Sequence, residues 1–228
     1  MELTFEQFSK DPNITMEYIW GNYFKKNRIF FKIKNESVAV KNLISIFNAT
    51  LKLSNEIGFQ AMTLRNLSKE TDLSMGALYN YFPSKEELFK IIHINGFNLI
   101  TNIINNYIKT ETPPEQKMKT AIKIHIYLSE VEPLWFYFLY METKNLKRED
   151  RKLSIGSELF TEKLFTDIIS DGIQTGIYAE RNILLTASMI KAMLQDWYLK
   201  RWKYTKRKIS ADEYASFIIE FIESYIKI

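Results

Sequence analysis

Apolar residues recur every three or four positions from about residue 37 to the end of the chain, and this spacing predicts helices. The first predicted helix begins near Ser37 and ends at Gly58, the residue type that most often follows a helix C-terminus. Its apolar face is formed by Val40, Leu43, Ile44, Phe47 and Leu51. Only 7 Gly and 5 Pro occur in 228 residues, which favours long helices over many short strands.

Shorter segments follow, each with its own start or stop signal. Thr63 is placed to cap a helix over "LRNLSKE", and Ser74 is placed to cap a second helix over "MGALYNYF". Pro83 stops that second helix, and Ser84 with Glu87 forms a capping box that starts a long helix. Only "ETDL" separates the two short helices, so a tight turn must join them.

Beyond "TETPPEQ" the predicted helices are longer and richer in aromatic residues. The long helices are predicted at about 85–109, 115–131, 133–145, 151–175, 182–205 and 211–228. The chain is therefore predicted to be all-α. It divides into an N-terminal basic and aromatic extension at 1–36, a three-helix domain at 37–90 and a C-terminal helical domain at 91–228.

Composition narrows the compartment and the chemistry. The chain has no Cys, so disulfides and thiolate metal sites are excluded and a reducing compartment fits. The first residues are not those of a signal peptide, and no stretch approaches the roughly 20 uncharged residues that span a bilayer. We therefore expect a cytoplasmic protein with no membrane partner.

The sequence contains none of the patterns that would indicate an enzyme. We find no Gly-rich phosphate loop, no nucleophile elbow, no His-Glu-x-x-His and no paired carboxylates in a plausible cleft. His93 and His125 are isolated, and such residues are more often core or surface residues than metal ligands. No metal and no other cofactor is predicted.

Two short helices joined by a tight turn form a helix-turn-helix candidate, whose second helix would enter the DNA major groove. Gly76 lies in the first turn of that helix, where a missing side chain allows the backbone to approach DNA closely. Ser74 and the free N–H groups beside it suit a phosphate, and the hydroxyls of Tyr79 and Tyr81 suit backbone oxygens. Lys85 would add another phosphate contact.

The residues predicted to bind DNA are Thr63, Arg65, Ser74, Met75, Gly76, Ala77, Tyr79, Asn80, Tyr81 and Lys85. The residues predicted to pack the three helices are Leu64, Leu67, Leu73, Leu78 and Phe82. An ordinary helical hairpin with aromatic core residues is the alternative, and spacing alone does not decide between the two.

This region resembles the DNA-binding domain of the TetR/AcrR family of transcriptional regulators over about residues 39–90. The shared positions are Gly58, Phe59, Thr63, Leu64 and the run Ser-x-Gly-x-Leu-Tyr-x-Tyr-Phe-x-Ser-Lys-Glu-x-Leu from Ser74 to Leu88. The departures are Thr71 and Asp72 for the usual Ala-Gly, Ala77 for the usual Thr, and Leu67 and Ser68 for the usual Ile-Ala. Asp tolerates a left-handed backbone better than most residues, so the turn is expected to form.

The resemblance implies an all-α homodimer that binds double-stranded operator DNA and, in its C-terminal domain, a small molecule that releases the DNA. The last two helices, at 182–205 and 211–228, would pair with those of a second copy, and their wide apolar faces agree. Two-fold symmetry then predicts a near-palindromic operator. Repression is the common outcome in this family.

An aromatic helix at "LWFYFLYM", residues 134–141, either lines a ligand pocket or forms plain core. The residues predicted to line a pocket are Phe97, His125, Trp135, Phe136, Phe138, Tyr140 and Met141. They favour a small apolar or aromatic effector. A ligand-independent regulator or an architectural DNA-binding protein, with a solid C-terminal core, remains the alternative function.

Each of two basic clusters in the sequence has two possible roles. The run at 200–208 suits nucleic acid, but it also suits a solvated helix end. Residues 22–53 carry seven basic residues against one acid, Glu36. The "IFFKIK" segment, a strand or an irregular arm, would then lie along DNA, or Phe24, Phe30 and Phe31 would pack onto the protein itself. A membrane-surface module would use the same arm but leaves the 74–88 run unexplained.

Overall fold

The structure is a computed structural model that describes residues 3–145 and 148–228. In chain order, the helices of these ranges are α1 (Phe5–Phe8), α2 (Met16–Lys26), α3 (Glu36–Ile57), α4 (Leu64–Thr71), α5 (Met75–Leu78), α6 (Lys85–Tyr107), α7 (Pro114–Val131), α8 (Pro133–Met141), α9 (Arg148–Gln174), α10 (Ile183–Leu199), α11 (Arg201–Lys206) and α12 (Ala211–Ile226). The described residues form no strand beyond an isolated bridge between Tyr178 and Lys227. The predicted all-α class is confirmed.

The chain forms two compact units whose limits differ from the predicted domains. The N-terminal unit contains Asp11–Leu99 and Leu134–Ser154. The C-terminal unit contains the residues up to Lys10, Ile100–Pro133 and Ile155–Ile228. The predicted extension is therefore divided between the two units, and the aromatic helix α8 belongs to the N-terminal unit although it lies far along the chain. Boundaries drawn along the sequence do not describe this arrangement.

Helices α3, α4 and α5 form the predicted three-helix arrangement in the N-terminal unit. Gly58 adopts φ 82° and ends α3 by donating its N–H to the Ser54 carbonyl at 2.9 Å. Leu67 and Leu78 are fully buried between the helices, and Phe82 is nearly so. Local capping thus sets the helix ends, and apolar burial holds the helices together.

Most of the predicted extension is helical and packed, and the "IFFKIK" segment within it begins in a 3-10 turn and continues as irregular backbone rather than as a strand. Thr15 caps α2 by accepting from the Tyr18 N–H at 3.3 Å. Trp20 and Phe24 are each 1% exposed, and the Trp20 ring lies 5.3 Å from that of Phe47 on α3. The helix forms because its apolar residues share one face, which is buried against α3.

Helix α1 belongs to the C-terminal unit, where it packs beside α7. The Phe5 N–H donates to the Asp212 carboxylate at 3.0 Å, and the Lys123 ammonium donates to the Leu3 carbonyl at 2.9 Å. Phe8 is fully buried with its ring 5.8 Å from that of Tyr127. The segment up to Lys10 and the rest of the extension therefore belong to different units.

Helix α7 is the centre of the C-terminal unit, with α10 and α12 packed against it. Nearly every residue from 118 to 129 on α7 is buried. The predicted helix at 182–205 is two helices, because Lys200 leaves the helical region with φ −124° and ψ 34°. Among the described helices, none is both long enough and apolar enough to cross a membrane.

Candidate nucleic-acid interface

The turn between α4 and α5 is built by short-range hydrogen bonds. Thr63 accepts from the Asn66 N–H at 3.1 Å, and the Asn66 side chain accepts from the Thr63 N–H at 2.9 Å, which makes a reciprocal cap for α4. Asp72 ends α4 at φ 55°, so the expected left-handed turn forms without the usual glycine. The Ser68 hydroxyl closes the turn by donating to the Leu73 carbonyl at 2.6 Å.

Helix α5 is shorter than predicted and ends at Leu78. Ser74 caps it as expected by accepting from the Ala77 N–H at 3.2 Å. The chain then continues in tighter turns, in which the Asn80 N–H donates to the Ala77 carbonyl at 3.1 Å. Since Leu78 is fully buried, the opposite side of this one-turn helix faces outwards.

Gly76 lies on that outward side and has open space around it. A Cβ built on Gly76 would meet only the Ser74 Oγ, at 4.0 Å. Packing within the chain therefore does not require a glycine here. Glycine also makes the helix less stable than alanine would, by roughly 1 kcal/mol. An open glycine in a short exposed helix suits close approach by a partner backbone.

Most predicted DNA-binding side chains are accessible on the same helix pair. Tyr79 is 52% exposed, and Thr63, Arg65 and Ser74 are exposed. Met75, Ala77 and Asn80 are half-buried, and Asn80 lies in the turn that follows α5. The structure brings these residues onto α4, α5 and the turn that follows.

Tyr81 differs from its prediction because its ring is buried. It is 6% exposed, and its hydroxyl accepts from the Asn42 side chain at 2.8 Å. Burial raises the pKa of the Tyr81 hydroxyl, and the bond from Asn42 opposes that rise. Tyr81 therefore ties the turn to α3, and it leaves the set of exposed candidates.

Lys85 has a structural role that the sequence did not indicate. Its ammonium donates to the carbonyls of Phe59, Gln60 and Met62 at 3.0, 2.8 and 3.0 Å. It also lies 5.2 Å from the centre of the Phe59 ring. The three N–H donors of a lysine are thus engaged by the loop after α3. The predicted phosphate contact by Lys85 stays a prediction.

Two family models match the chain over most of its length. The model "Bacterial regulatory proteins, tetR family" matches residues 46–92, which include α4, α5 and the start of α6. The model "Tetracyclin repressor-like, C-terminal domain" matches residues 111–223. The chain belongs to the TetR family. It is a DNA-binding transcriptional regulator and not an enzyme.

One relative and two solved structures illustrate what this TetR-family chain is similar to. The HTH-type transcriptional regulator HbdR of Aromatoleum sp. (strain CIB) is 22% identical over 181 residues, which is 79% of each chain. A tetR-family regulatory protein from Rhodococcus RHA1 has the same fold, with a TM-score of 0.73, 20% identity, and coverage of 82% of this chain and 97% of that one. AibR, solved with isovaleryl coenzyme A and operator DNA, gives a TM-score of 0.69 at 14% identity over 81% of this chain and 97% of its own.

The aromatic residues predicted to line an effector pocket in this TetR-family chain are divided between the two units. Trp135, Phe136 and Phe138 are buried in the N-terminal unit, whereas His125 is buried in the C-terminal unit. The Trp135 ring packs 4.7 Å from that of Phe47, and the Phe138 ring packs 5.5 Å from that of Phe59. These contacts give both rings a core role.

The remaining effector candidates are less buried. Tyr140 is 45% exposed, and Phe97 and Met141 are half-buried. A described groove of about 490 Å³ is open to solvent, lies between α2 and α3, and contains none of the predicted effector residues. The described residues bring together no group of three carboxylate or imidazole side chains that would suit a metal ion.

His125 is the predicted effector residue with the most unusual environment. Burial, together with the charge of Lys191, holds the pKa of His125 well below its ordinary value, so the ring is neutral near pH 7. Lys191 is itself 6% exposed and lies 3.4 Å from Glu158. Two titratable side chains, His125 and Lys191, are thus buried among the apolar helices of the C-terminal unit.

Three of the six cations in the basic run at 200–208 form ion pairs within the chain, and Lys206, Arg207 and Lys208 are exposed. Arg201 forms two hydrogen bonds with the Glu130 carboxylate, at 2.7 and 2.8 Å. Lys200 and Lys203 both pair with Asp196, at 2.6 and 2.5 Å. These ion pairs give Lys200, Arg201 and Lys203 a structural role.

Proposed function

We propose that this regulator is a homodimeric repressor that binds a near-palindromic operator through α5 and is released by a small apolar or aromatic ligand. The observation that carries the DNA-binding site is the open side of α5, where Gly76 has unfilled space and Tyr79 is exposed. Because α5 is only one turn long, the contact surface extends to α4 and to the turn after α5. Thr63, Arg65 and Asn80 lie on those flanks.

We assign the base-edge contacts to Met75 and Ala77, and the phosphate contacts to Thr63, Arg65, Ser74, Tyr79 and Asn80. The short side chain of Ala77 and the open Gly76 allow the helix backbone to enter the groove, and the long apolar side chain of Met75 can reach the base edges. Hydroxyl, amide and guanidinium groups around it suit phosphate oxygens. Tyr81 is omitted because it is buried.

The homodimer rests on exposed apolar residues of the last helices. On α12, Phe217, Phe221 and Tyr225 repeat every four residues and are 62%, 55% and 51% exposed. The opposite side of α12 is buried in the C-terminal unit, so this helix is apolar on two faces. On α10, Leu185 and Met189 are 64% and 62% exposed. A second copy of the chain would remove both stripes from water.

Effector release is supported by the structural relatives, since AibR was solved with isovaleryl coenzyme A as well as operator DNA. The C-terminal model is also named after the tetracyclin repressor. The alternative is a ligand-independent regulator, and the dense packing of α7 and of Trp135 and Phe138 favours it. Thermal shift with a panel of acyl-CoA thioesters and aromatic acids separates the two, because only a sensor is stabilised by a panel member.

The first test is binding of the pure protein to fragments of the DNA that flanks its coding region, at two salt concentrations with competitor DNA. Retention of one fragment at the higher salt is expected for a sequence-specific regulator. Weak binding to every fragment, lost at the higher salt, would contradict an operator in that region. Selection from random-sequence duplexes then decides whether any preferred sequence exists.

A further inference from the structure

The 3-10 turn Arg28–Phe30, which follows α2, presents an exposed apolar pair. Ile29 is 87% exposed and Phe30 is 75% exposed. Among the described residues of the N-terminal unit, these two are the most exposed large apolar side chains. Two adjacent side chains of this kind at the tip of a turn indicate a contact surface, because leaving them in water is unfavourable.

The residues on either side of the Ile29–Phe30 pair are held by hydrogen bonds and ring contacts. The Arg28 guanidinium donates to the Phe31 carbonyl at 3.1 Å and to the Lys34 carbonyl at 3.5 Å. It also lies 5.3 Å from the centre of the Phe24 ring. Phe31 is 6% exposed and packs 5.0 Å from Phe24. Arg28 and Phe31 therefore hold Ile29 and Phe30 outwards, and little conformational freedom is lost when a partner binds.

The surroundings of the tip are basic. The exposed lysines on either side are Lys25, Lys26, Lys32 and Lys34. Between residues 22 and 53 the single acid is Glu36, and it pairs with Lys25 at 3.4 Å. The remaining lysines complement a polyanion.

The tip is connected to the proposed DNA surface within the same unit. The Phe31 ring lies 6.1 Å from the ring of Tyr81, the residue whose hydroxyl is held by Asn42. Tyr81 comes two residues after the exposed Tyr79. The base of the tip is thus packed against the turn that ends the helix-turn-helix surface.

We propose that the Arg28–Phe30 turn is a second DNA contact, in which Ile29 and Phe30 enter the minor groove beside the operator half-site as an apolar wedge. Apolar side chains flanked by lysines unstack base pairs in this way, while the lysines bind phosphates. This inference rests on the proposed function. An anionic membrane surface would attract the same residue types, but the packing of Phe31 on Tyr81 favours DNA.

The test compares the full chain with its Ile29→Ser, Phe30→Ser double variant on two duplexes. The operator is first selected from random sequences by the parent protein. The long duplex extends about 10 base pairs, one helical turn, beyond each half-site, and the short duplex ends at the half-sites. The parent is expected to bind the long duplex about tenfold more tightly than the short one, and the variant is expected to lose that gain. The parent and the double variant are expected to bind the short duplex with equal affinity.

Unstacking is read separately with 2-aminopurine placed singly at the A·T pairs of each flank. Its fluorescence is expected to rise with the parent protein and not with the double variant. The matched control is Leu159→Ser on α9, which removes a 58% exposed apolar side chain from the other unit. Equal long-duplex affinity and equal fluorescence for parent and double variant would overturn the wedge.

Two further arms separate the possible failures. If the double variant loses sedimentation with phosphatidylglycerol vesicles and keeps its DNA affinity, the tip is a membrane contact and the wedge is wrong. If Gly76→Ala weakens binding to the short duplex while the double variant has the affinities and fluorescence of the parent, the proposed function is supported and only the wedge is wrong. If the parent selects no sequence, the proposed function fails and the wedge fails with it.

Discussion

At the scale of single residues, four neighbours in one motif have different physical roles. Gly76 is open to solvent and Tyr79 is half-exposed, so both are available to a partner. Tyr81 is buried against α3, and Lys85 is engaged by three carbonyls. Two tyrosines of one motif therefore have different roles, since Tyr79 is available for binding and Tyr81 stabilises the fold.

Replacing Gly76 with Ala is expected to separate these roles. The free energy of unfolding should stay equal or rise by up to about 1 kcal/mol, because alanine favours helix and nothing in the chain is displaced. Operator affinity should fall by about tenfold, since a methyl group enters the space assigned to DNA. Denaturant melts and fluorescence anisotropy measure the two effects.

The matched control for Gly76→Ala is Gly156→Ala on α9, where the added carbon would have nothing within 4 Å. It should give the same gain in stability and leave DNA affinity unchanged. Unchanged operator affinity in Gly76→Ala itself would remove this helix from the proposed interface.

Replacing Lys85 with Met is expected to reduce stability first. Three carbonyls lose a charged donor, which should lower the free energy of unfolding by about 1–3 kcal/mol. The same change at the exposed Lys206 should alter it by less than about 0.5 kcal/mol. Well below the melting temperature, the predicted phosphate contact should appear as a slope of log Kd against log salt that is reduced by about one, and an unchanged slope would contradict that contact.

At the scale of elements, helix ends and helix faces explain most of the architecture. Thr63, Ser74 and Ser210 cap the helices that follow them, and each accepts from a backbone N–H three residues on. Helix α7 ends less favourably at Glu132, because its carboxylate is partly buried and a negative charge is unfavourable at a helix C-terminus.

Glu132 should make stability depend on pH. Burial raises the pKa of its carboxyl to about 7 from an ordinary 4.5. The folded state therefore holds the proton more tightly, so this contribution to stability is complete below pH 4.5 and is lost as pH rises through about 7. Glu132→Gln, which stays neutral, should be more stable than the parent by roughly 1–3 kcal/mol at pH 8, after allowance for partial solvent contact.

Thermal melts at pH 4.5 and pH 8 measure this difference. The two proteins should melt together at the lower pH and separate at the higher one. The control is Glu180→Gln, which neutralises an exposed carboxyl of the same unit. A Glu132→Gln curve parallel to that of the parent across this range would contradict a raised pKa.

At the scale of the whole molecule, function requires two units and, by our proposal, two copies. The N-terminal unit presents the helix-turn-helix surface, and the C-terminal unit presents the exposed stripe of Phe217, Phe221 and Tyr225. Two copies joined by that stripe would present two α5 helices to one duplex, so that the second contact becomes intramolecular.

Phe221→Glu is expected to place a charge in the centre of that stripe and shift the protein towards monomer. Sedimentation equilibrium should report the lower mass, and operator affinity should fall by at least about tenfold because bivalency is lost. Leu159→Glu introduces the same charge at an exposed site on α9 and should leave both properties unchanged. A Phe221→Glu protein that remains a dimer would place the interface elsewhere.

The sequence by itself determined most of the helices after residue 36, the caps at Thr63 and Ser74, the family motif and the left-handed turn at Asp72, because these depend on residues a few positions apart. The spacing of Ile19, Trp20, Tyr23 and Phe24 also contained the signal for α2. Only the tertiary structure decided that Tyr81 faces Asn42, that Lys85 binds carbonyls more than 20 residues upstream, and that α8 packs in the N-terminal unit. Tyrosine and lysine each combine an apolar body with a polar end, so their roles depend on which distant groups fold against them.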